Sequence, residues 1–261
     1  MSGLREHALH VRGESVRVWE KGAGRTVGVL GGLLGIPRWT PFLEALARRH
    51  RVVVPSLPGQ PGGGDFRKLD DLPDWVSATL DLLDAADLEG ADFVGIGPGA
   101  TLAAECAAFS RTSVGKLVLV APFGLFDERE PVADAWARGA NEQAATFSAR
   151  PDAFARELLA PPAGADPEEF RILQLRSLEA AARLLWPLGD RGLAKRLHRV
   201  RSETLLVWGE RDAVVPASYA KRFAAGISGG TQTRIVPGAG HAVDFDAPEE
   251  LAAAIEAFLG D

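Results

Sequence analysis

Several short stretches of this chain hold residue types and spacings that could do chemistry, and each follows an apolar run. "LGGLLG" (residues 30–35) and "GIGPGA" (95–100) are glycine-rich turns between an apolar run and a helical pattern. "WGERDAVVP" (208–216) carries Asp212, and "VPGAGHAVDFDAPEEL" (236–251) carries His241, 29 residues further on. A glycine turn between strand and helix can expose a side chain, cradle a phosphate with backbone N–H groups, or simply bend the chain. The phosphate reading has one match, Gly95-x-Gly97-x-x-Ala100. It also calls for an acidic residue about 20 positions on. The sequence there is "LVLVAPFG", with no acid before Asp127, and the turn comes late in the chain rather than at its first strand. A dinucleotide-binding oxidoreductase is therefore a minor reading. No Walker motif, His-rich metal cluster or basic–aromatic patch is present, so neither a metal nor a cofactor is expected.

The positioning elements are legible from hydrophobic pattern. "SVRVWE" (15–20) alternates as a half-buried strand does. Residues 26–32, 51–56, 92–97, 116–122 and 204–210 are continuous apolar runs, suited to strands buried on both faces of a parallel sheet. Helical patterns lie at 40–49, 73–86 and 98–109. The chain closes with "TQTRIVPG" as a strand and "APEELAAAIEAFL" as a helix opened by Pro248, Glu249 and Glu250. This alternation predicts an α/β fold: a doubly wound, mostly parallel sheet of about eight strands. Residues 126–200 contain no strand run and predict helices over 130–147 and 166–188, with the aromatics Trp136, Phe147, Phe154, Phe170 and Trp186. Such an insertion suits a cap over the C-terminal sheet edge, where open α/β sheets bind ligands. The expected division is a core of 1–125 and 201–261 with a helical cap of 126–200.

Bulk composition narrows the function classes. The chain has 261 residues, 46% hydrophobic and 25% charged, enough to bury a core without staples. Its net charge of −6 disfavours a nucleic-acid partner. Cys106 is the single cysteine and can form neither an internal disulfide nor a zinc site alone. No apolar run reaches the ~18 residues of a membrane span, and the polar start shows no signal peptide, so a cytoplasmic location is expected. Oligomeric state is not legible.

The order of elements, the caplike insertion, the Asp after a late strand and the His beyond the next one resemble the α/β-hydrolase superfamily over nearly the whole chain. The resemblance implies that Asp212 is the acid and His241 the catalytic histidine. A carboxylate on one ring nitrogen fixes the tautomer and leaves the other nitrogen as a base. His7 and His10 lie on the N-terminal strand, His50 at a helix end and His198 in a basic stretch, and they do not compete. The same resemblance places an oxyanion or substrate-binding region at Gly31, Gly32, Leu33, Gly97 and Pro98. From the aromatic content of the insertion, Trp136 and Trp186 are candidates for the cap side of the pocket, the alternative being that these aromatics only pack the insertion onto the core.

The departures matter as much. The superfamily's elbow reads Gly-x-nucleophile-x-Gly, and here it is Gly95-Ile96-Gly97-Pro98-Gly99. Glycine cannot form a covalent intermediate, and loss of such a serine costs about 10⁶ in turnover in a serine protease. Pro98 lacks the backbone N–H that normally helps hold an oxyanion, a donor worth about 10²–10³. Glycine also relaxes the strained elbow, and proline suits a first helical turn. Cys106 and Ser110 lie about two and three turns into the helix and are poor substitute nucleophiles. Ser56 stands where an Asp is common. The expectation is an enzyme using a His–Asp dyad for general acid/base chemistry (lyase, isomerase, cyclase or non-covalent hydrolysis) on a small, largely apolar substrate. The alternative is a non-catalytic ligand-binding or partner protein. An esterase with a displaced nucleophile ranks below both.

Overall fold

The computed structural model describes residues 3–260. The strands are β1 (Arg5–Val11), β2 (Glu14–Lys21), β3 (Thr26–Leu30), β4 (Arg51–Pro55), β5 (Asp92–Ile96), β6 (Leu117–Val120), β7 (Thr204–Gly209) and β8 (Thr231–Val236). They form one eight-stranded sheet in the order β1-β2-β4-β3-β5-β6-β7-β8. β1 and β2 pair antiparallel, β2 pairs antiparallel with β4, and all later pairs are parallel. The expected α/β class and mostly parallel sheet are thus observed.

Side chains alternate across the sheet, which explains why its central strands read as unbroken apolar runs. In β6, Leu117 and Leu119 join one core and Val118 and Val120 the other. The first core packs helices α2 (Leu72–Ala85), α3 (Pro98–Phe109) and α7 (Tyr219–Gly226); the second packs α1 (Pro41–Leu46) and α9 (Pro248–Leu259). The helix starts follow local chemistry. Thr40 and Asp71 cap α1 and α2 through their side chains, and Pro98 opens α3 with no N–H to orphan. The edge strands β1 and β8 are largely exposed and carry charged or polar side chains.

The β6–β7 connection holds α4 (Ala140–Phe147), α5 (Pro151–Phe154), a π-helical turn (Ala155–Leu159) and α6 (Pro167–Leu185). The helix expected over 130–147 is corrected: only its end is helical. Pro131 and Gly139 bracket a stretch that packs by irregular contacts, with Ala133 N–H bonded to the Val214 carbonyl at 2.8 Å. The connection is tied to the core by a buried ion pair, Arg196 on Glu105 of α3, with both contacts at 2.7 Å.

Candidate functional site

The site forms where the C-terminal ends of β5, β7 and β8 meet. After β7, Asp212 sits in a tight turn whose Val214 and Val215 N–H groups both donate to its Oδ1 at 2.9 Å. Trp208 fixes this turn from below, its indole N–H on the Val215 carbonyl at 3.1 Å. Gly209 lets the next loop approach: a Cβ there would lie 2.1 Å from the Gly240 carbonyl oxygen. That closeness brings the loop after β8 over the Asp212 turn. His241 Nδ1 lies 3.0 and 3.1 Å from the two oxygens of Asp212. The Asp212 side chain is fully buried against the ring, and an imidazole that donates to it from Nδ1 has Nε2 on its far side. Phe123 stands edge-on to the ring at 5.4 Å between centroids and Phe147 lies on another side at 6.3 Å.

Opposite Nε2 is the β5–α3 turn. Gly97 adopts φ 51° and ψ −115°, a conformation that costs any other residue strain. A Cβ built on Gly97 would stand 3.7 Å from His241 Nε2, 3.6 Å from Phe123 and 3.9 Å from the Gly32 Cα. The neighbouring glycines serve packing instead. A Cβ at Gly95 would meet Ala100 Cα at 2.4 Å, and one at Gly99 the Leu30 carbonyl oxygen at 2.4 Å. Close approach of α3 to β5 therefore accounts for Gly95 and Ala100 of the pattern that resembles a phosphate fingerprint, and the bend at Gly97 for its middle glycine.

Between these walls lies a cavity of about 70 Å³ lined by Gly32, Leu33, Gly97, His241 and Asp244, with Leu34, Phe147, Phe154 and Leu158 as its apolar surface. Of the residues singled out from sequence, Gly32, Leu33, Gly97 and His241 are brought together here, with Asp212 behind the ring. Gly31 lies beneath the loop, where its carbonyl accepts from Gln60 at 3.2 Å. Pro98 is buried at the first turn of α3. The two candidate cap tryptophans lie away from the cavity. Trp136 donates its indole N–H to the Leu178 carbonyl at 2.9 Å and fastens the irregular stretch after β6 to α6, while Trp186 is 53% exposed; neither lines this cavity. Aromatic content did not distinguish them from Phe147 and Phe154, which do.

The sequence reading missed Asp244, although it lies only three residues after His241. It also missed Asp246, which accepts from Ser148 Oγ, the Ala149 N–H at 2.9 Å and the Gly240 N–H at 2.7 Å, pinning the end of α4 to the His241 loop. Cys106 is wholly buried in α3, and burial pushes its thiol above the ordinary range. Thr101 turns its hydroxyl to the Gly97 and Phe123 carbonyls, each at 3.2 Å. Ser56 lines a different cavity. Among the described residues no cluster of His, Cys, Asp and Glu could hold a metal ion, and no helix is long and apolar enough to cross a membrane.

Residues 31–254 match the model of the alpha/beta hydrolase family, and the chain belongs to that family. It is 28% identical to the dihydrolipoyllysine-residue acetyltransferase component of an acetoin cleaving system from Pseudomonas putida, over 95% of this chain and 68% of that protein. The corresponding component from Cupriavidus necator is 26% identical over 96% and 68%. Among solved structures, a bacterial membrane phospholipase A superposes with a TM-score of 0.78 at 22% identity, covering 98% of this chain and 86% of that one. A 2-hydroxy-6-oxo-6-phenylhexa-2,4-dienoate hydrolase from a Rhodococcus species gives 0.76 at 15% identity, covering 98% of each. At these identities the structural likenesses carry the fold alone.

Proposed function

We propose that this chain is an α/β-hydrolase-fold enzyme that works by proton transfer at His241 without a covalent intermediate. The observation that carries the reading is the relation between Gly97 and His241: a side chain on Gly97 would begin 3.7 Å from Nε2, and there is none. Gly97 is the elbow position left without its nucleophile, and the space it leaves admits a substrate group or a water. His241 then acts as general base, with Asp212 orienting the ring and stabilising the imidazolium. A base so placed can take a proton from a C–H beside a carbonyl, from water, or from a thiol or hydroxyl that attacks a second bound group. Lyase, isomerase, cyclase, direct hydrolysis and direct acyl transfer can all begin with such a proton transfer. The last is favoured by the curated relatives, which are named as acetyltransferase components.

The substrate is small and largely apolar where it meets His241, because Leu33, Leu34, Phe147, Phe154 and Leu158 form that surface. We read residues 126–200 as a cap, since Phe147, Phe154 and Leu158 reach the cavity from that segment. A second reading, a ligand-binding protein without turnover, is favoured by Pro98, which removes an oxyanion donor as well.

Turnover of a panel of acyl esters, thioesters and β-keto compounds by wild type and by His241→Ala separates the two. The enzyme reading predicts activity on part of the panel that falls about 10²–10⁴-fold in the variant. Equal turnover in both would place the chemistry elsewhere. Ligand affinity that survives the loss of His241, with no turnover, would favour the binding protein.

A further inference from the structure

Asp212, Asp244 and Asp246 all lie close to His241, and two of them have structural partners. Asp212 is held by two N–H groups and the imidazole, and Asp246 by Ser148, two N–H groups and an Arg150 contact at 3.7 Å. Asp244 has neither arrangement. Among the described residues no side chain donates to its carboxyl and no cation pairs with it; only the N–H groups of Asp244 and Phe245 lie against it. Yet it sits on α8 (Val243–Asp246) at the wall of the His241 cavity. It also lines the narrow cavity beside that one, and an outer cavity of about 420 Å³ bordered by Arg38, Arg150 and Arg156. Asp244 therefore stands where the reacting space joins the way out.

Asp244 is half-buried, and a carboxylate partly withdrawn from water without a counterion costs stability. Burial pushes this one up to about 6, with Asp246 adding to the rise and the two N–H groups and His241 opposing it. The charged groups around it are His241 and Asp246 on its own loop, Arg38 from the β3–α1 connection, and Arg150, Arg156 and Glu157 from the β6–β7 segment. A carboxyl that titrates near neutrality can hold a proton and give it up.

We propose that Asp244 is the second proton-transfer residue of this site, donating to the oxygen of a carbonyl substrate while His241 Nε2 removes a proton elsewhere on the bound molecules. This rests on the reading of His241 as the base. The electron pair of the broken C–H, O–H or S–H bond stays with the reactants, and negative charge gathers on the carbonyl oxygen. That oxygen takes the Asp244 proton. With a C–H substrate this gives the enol, after which His241 loses its proton to solvent and Asp244 regains one. With an ester or thioester the adduct's hydroxyl returns its proton to Asp244 as C=O re-forms and the C–O or C–S bond breaks. The leaving alkoxide or thiolate takes the proton from His241, so the enzyme is unchanged in both cases. Asp244 thus supplies, from the His241 side, a donor of the kind Pro98 lacks.

Asp244→Asn tests the proposal by turnover and by stability. On any substrate of the panel it lowers kcat by about 10²–10⁴-fold. Wild-type activity is expected to decline as pH rises through about 6, and the variant is expected to lack that decline. If His241→Ala abolishes turnover but Asp244→Asn keeps the wild-type kcat and pH profile, the Asp244 proposal is overturned and the His241 reading stands. If His241→Ala is also without effect, the His241 reading falls. Thermal unfolding reads the carboxyl without any substrate. A carboxyl whose affinity for protons rises on folding lowers stability once pH exceeds its folded value, and the penalty vanishes below the ordinary carboxylate range. Asp244→Asn should therefore melt higher than wild type at about pH 7.5 and lose that advantage toward pH ~4. A variant melting at or below wild type at the higher pH would mean a compensated, structural carboxylate and would overturn the proposal.

Discussion

The two walls of the His241 cavity differ in what they present. The β5–α3 turn offers backbone alone, with no side chain at Gly97 and no N–H at Pro98. The loop after β8 carries His241, Asp244 and Asp246 within a few residues, and Asp212 meets it from β7. The bare wall keeps the sharp strand-to-helix bend, because glycine takes φ 51° at little cost and proline starts α3. The shape of this turn is thus separable from the chemistry it can hold. Where one wall has no reactive group, the other must supply any proton transfer, and its acids and base are packed accordingly.

Rebuilding the bare wall is the largest change available. Gly97→Ser places its Cβ at ordinary contact distances, 3.6–3.9 Å, from Phe123, His241 and Gly32. The left-handed backbone costs a serine about 1–2 kcal/mol, a fall in Tm of about 2–8 °C for a chain of this size. The variant should fold and become labelled by a fluorophosphonate that leaves wild type untouched. Adding Pro98→Ala restores an N–H and should speed labelling by about 10²–10³-fold. A Gly97→Ser protein that folds yet never labels would show that the turn does not face His241 as described.

The loaded wall is tested next by stability. Asp246→Ala leaves the Ala149 and Gly240 N–H groups and Ser148 without their acceptor, beneath a carboxyl only 3% exposed. Loss of about 3–5 kcal/mol is expected in urea unfolding, with the His241 loop and the end of α4 separated. A change under about 1 kcal/mol would mean that solvent replaces those bonds. The smallest effect concerns Cys106. Its buried, raised-pKa thiol should resist alkylation in the native protein and react only on unfolding. Rapid native alkylation blocked by a substrate would revive a displaced nucleophile.

Much of the fold was legible because buried parallel strands read as unbroken apolar runs and helices announce their starts. Residues 98–109 were bounded correctly by proline at one end and the loss of apolar pattern at the other. The expected helix over 130–147 failed where Pro131 and Gly139 outweighed composition. For the site, the turns bearing Asp212 and His241 were visible, since each follows a strand end. Which aromatics turn toward the cavity was not, because Trp136, Trp186, Phe147 and Phe154 are alike in pattern and differ only in tertiary contact. Asp244 was hidden for the same reason. Nothing in "HAVDFD" says that one carboxyl will be tied down by three donors while its neighbour two residues earlier lines the cavity half-buried and without a cation.

The central claim, chemistry at His241 with no covalent intermediate, is tested most directly by intact-protein mass spectrometry. Samples are quenched during turnover of an ester or thioester from the panel. The account predicts an unmodified chain at every time point while product accumulates, with product formation slowed about 10²–10⁴-fold in His241→Ala. An adduct of acyl mass that forms and decays at the rate of turnover, mapped to any residue of the chain, would contradict it.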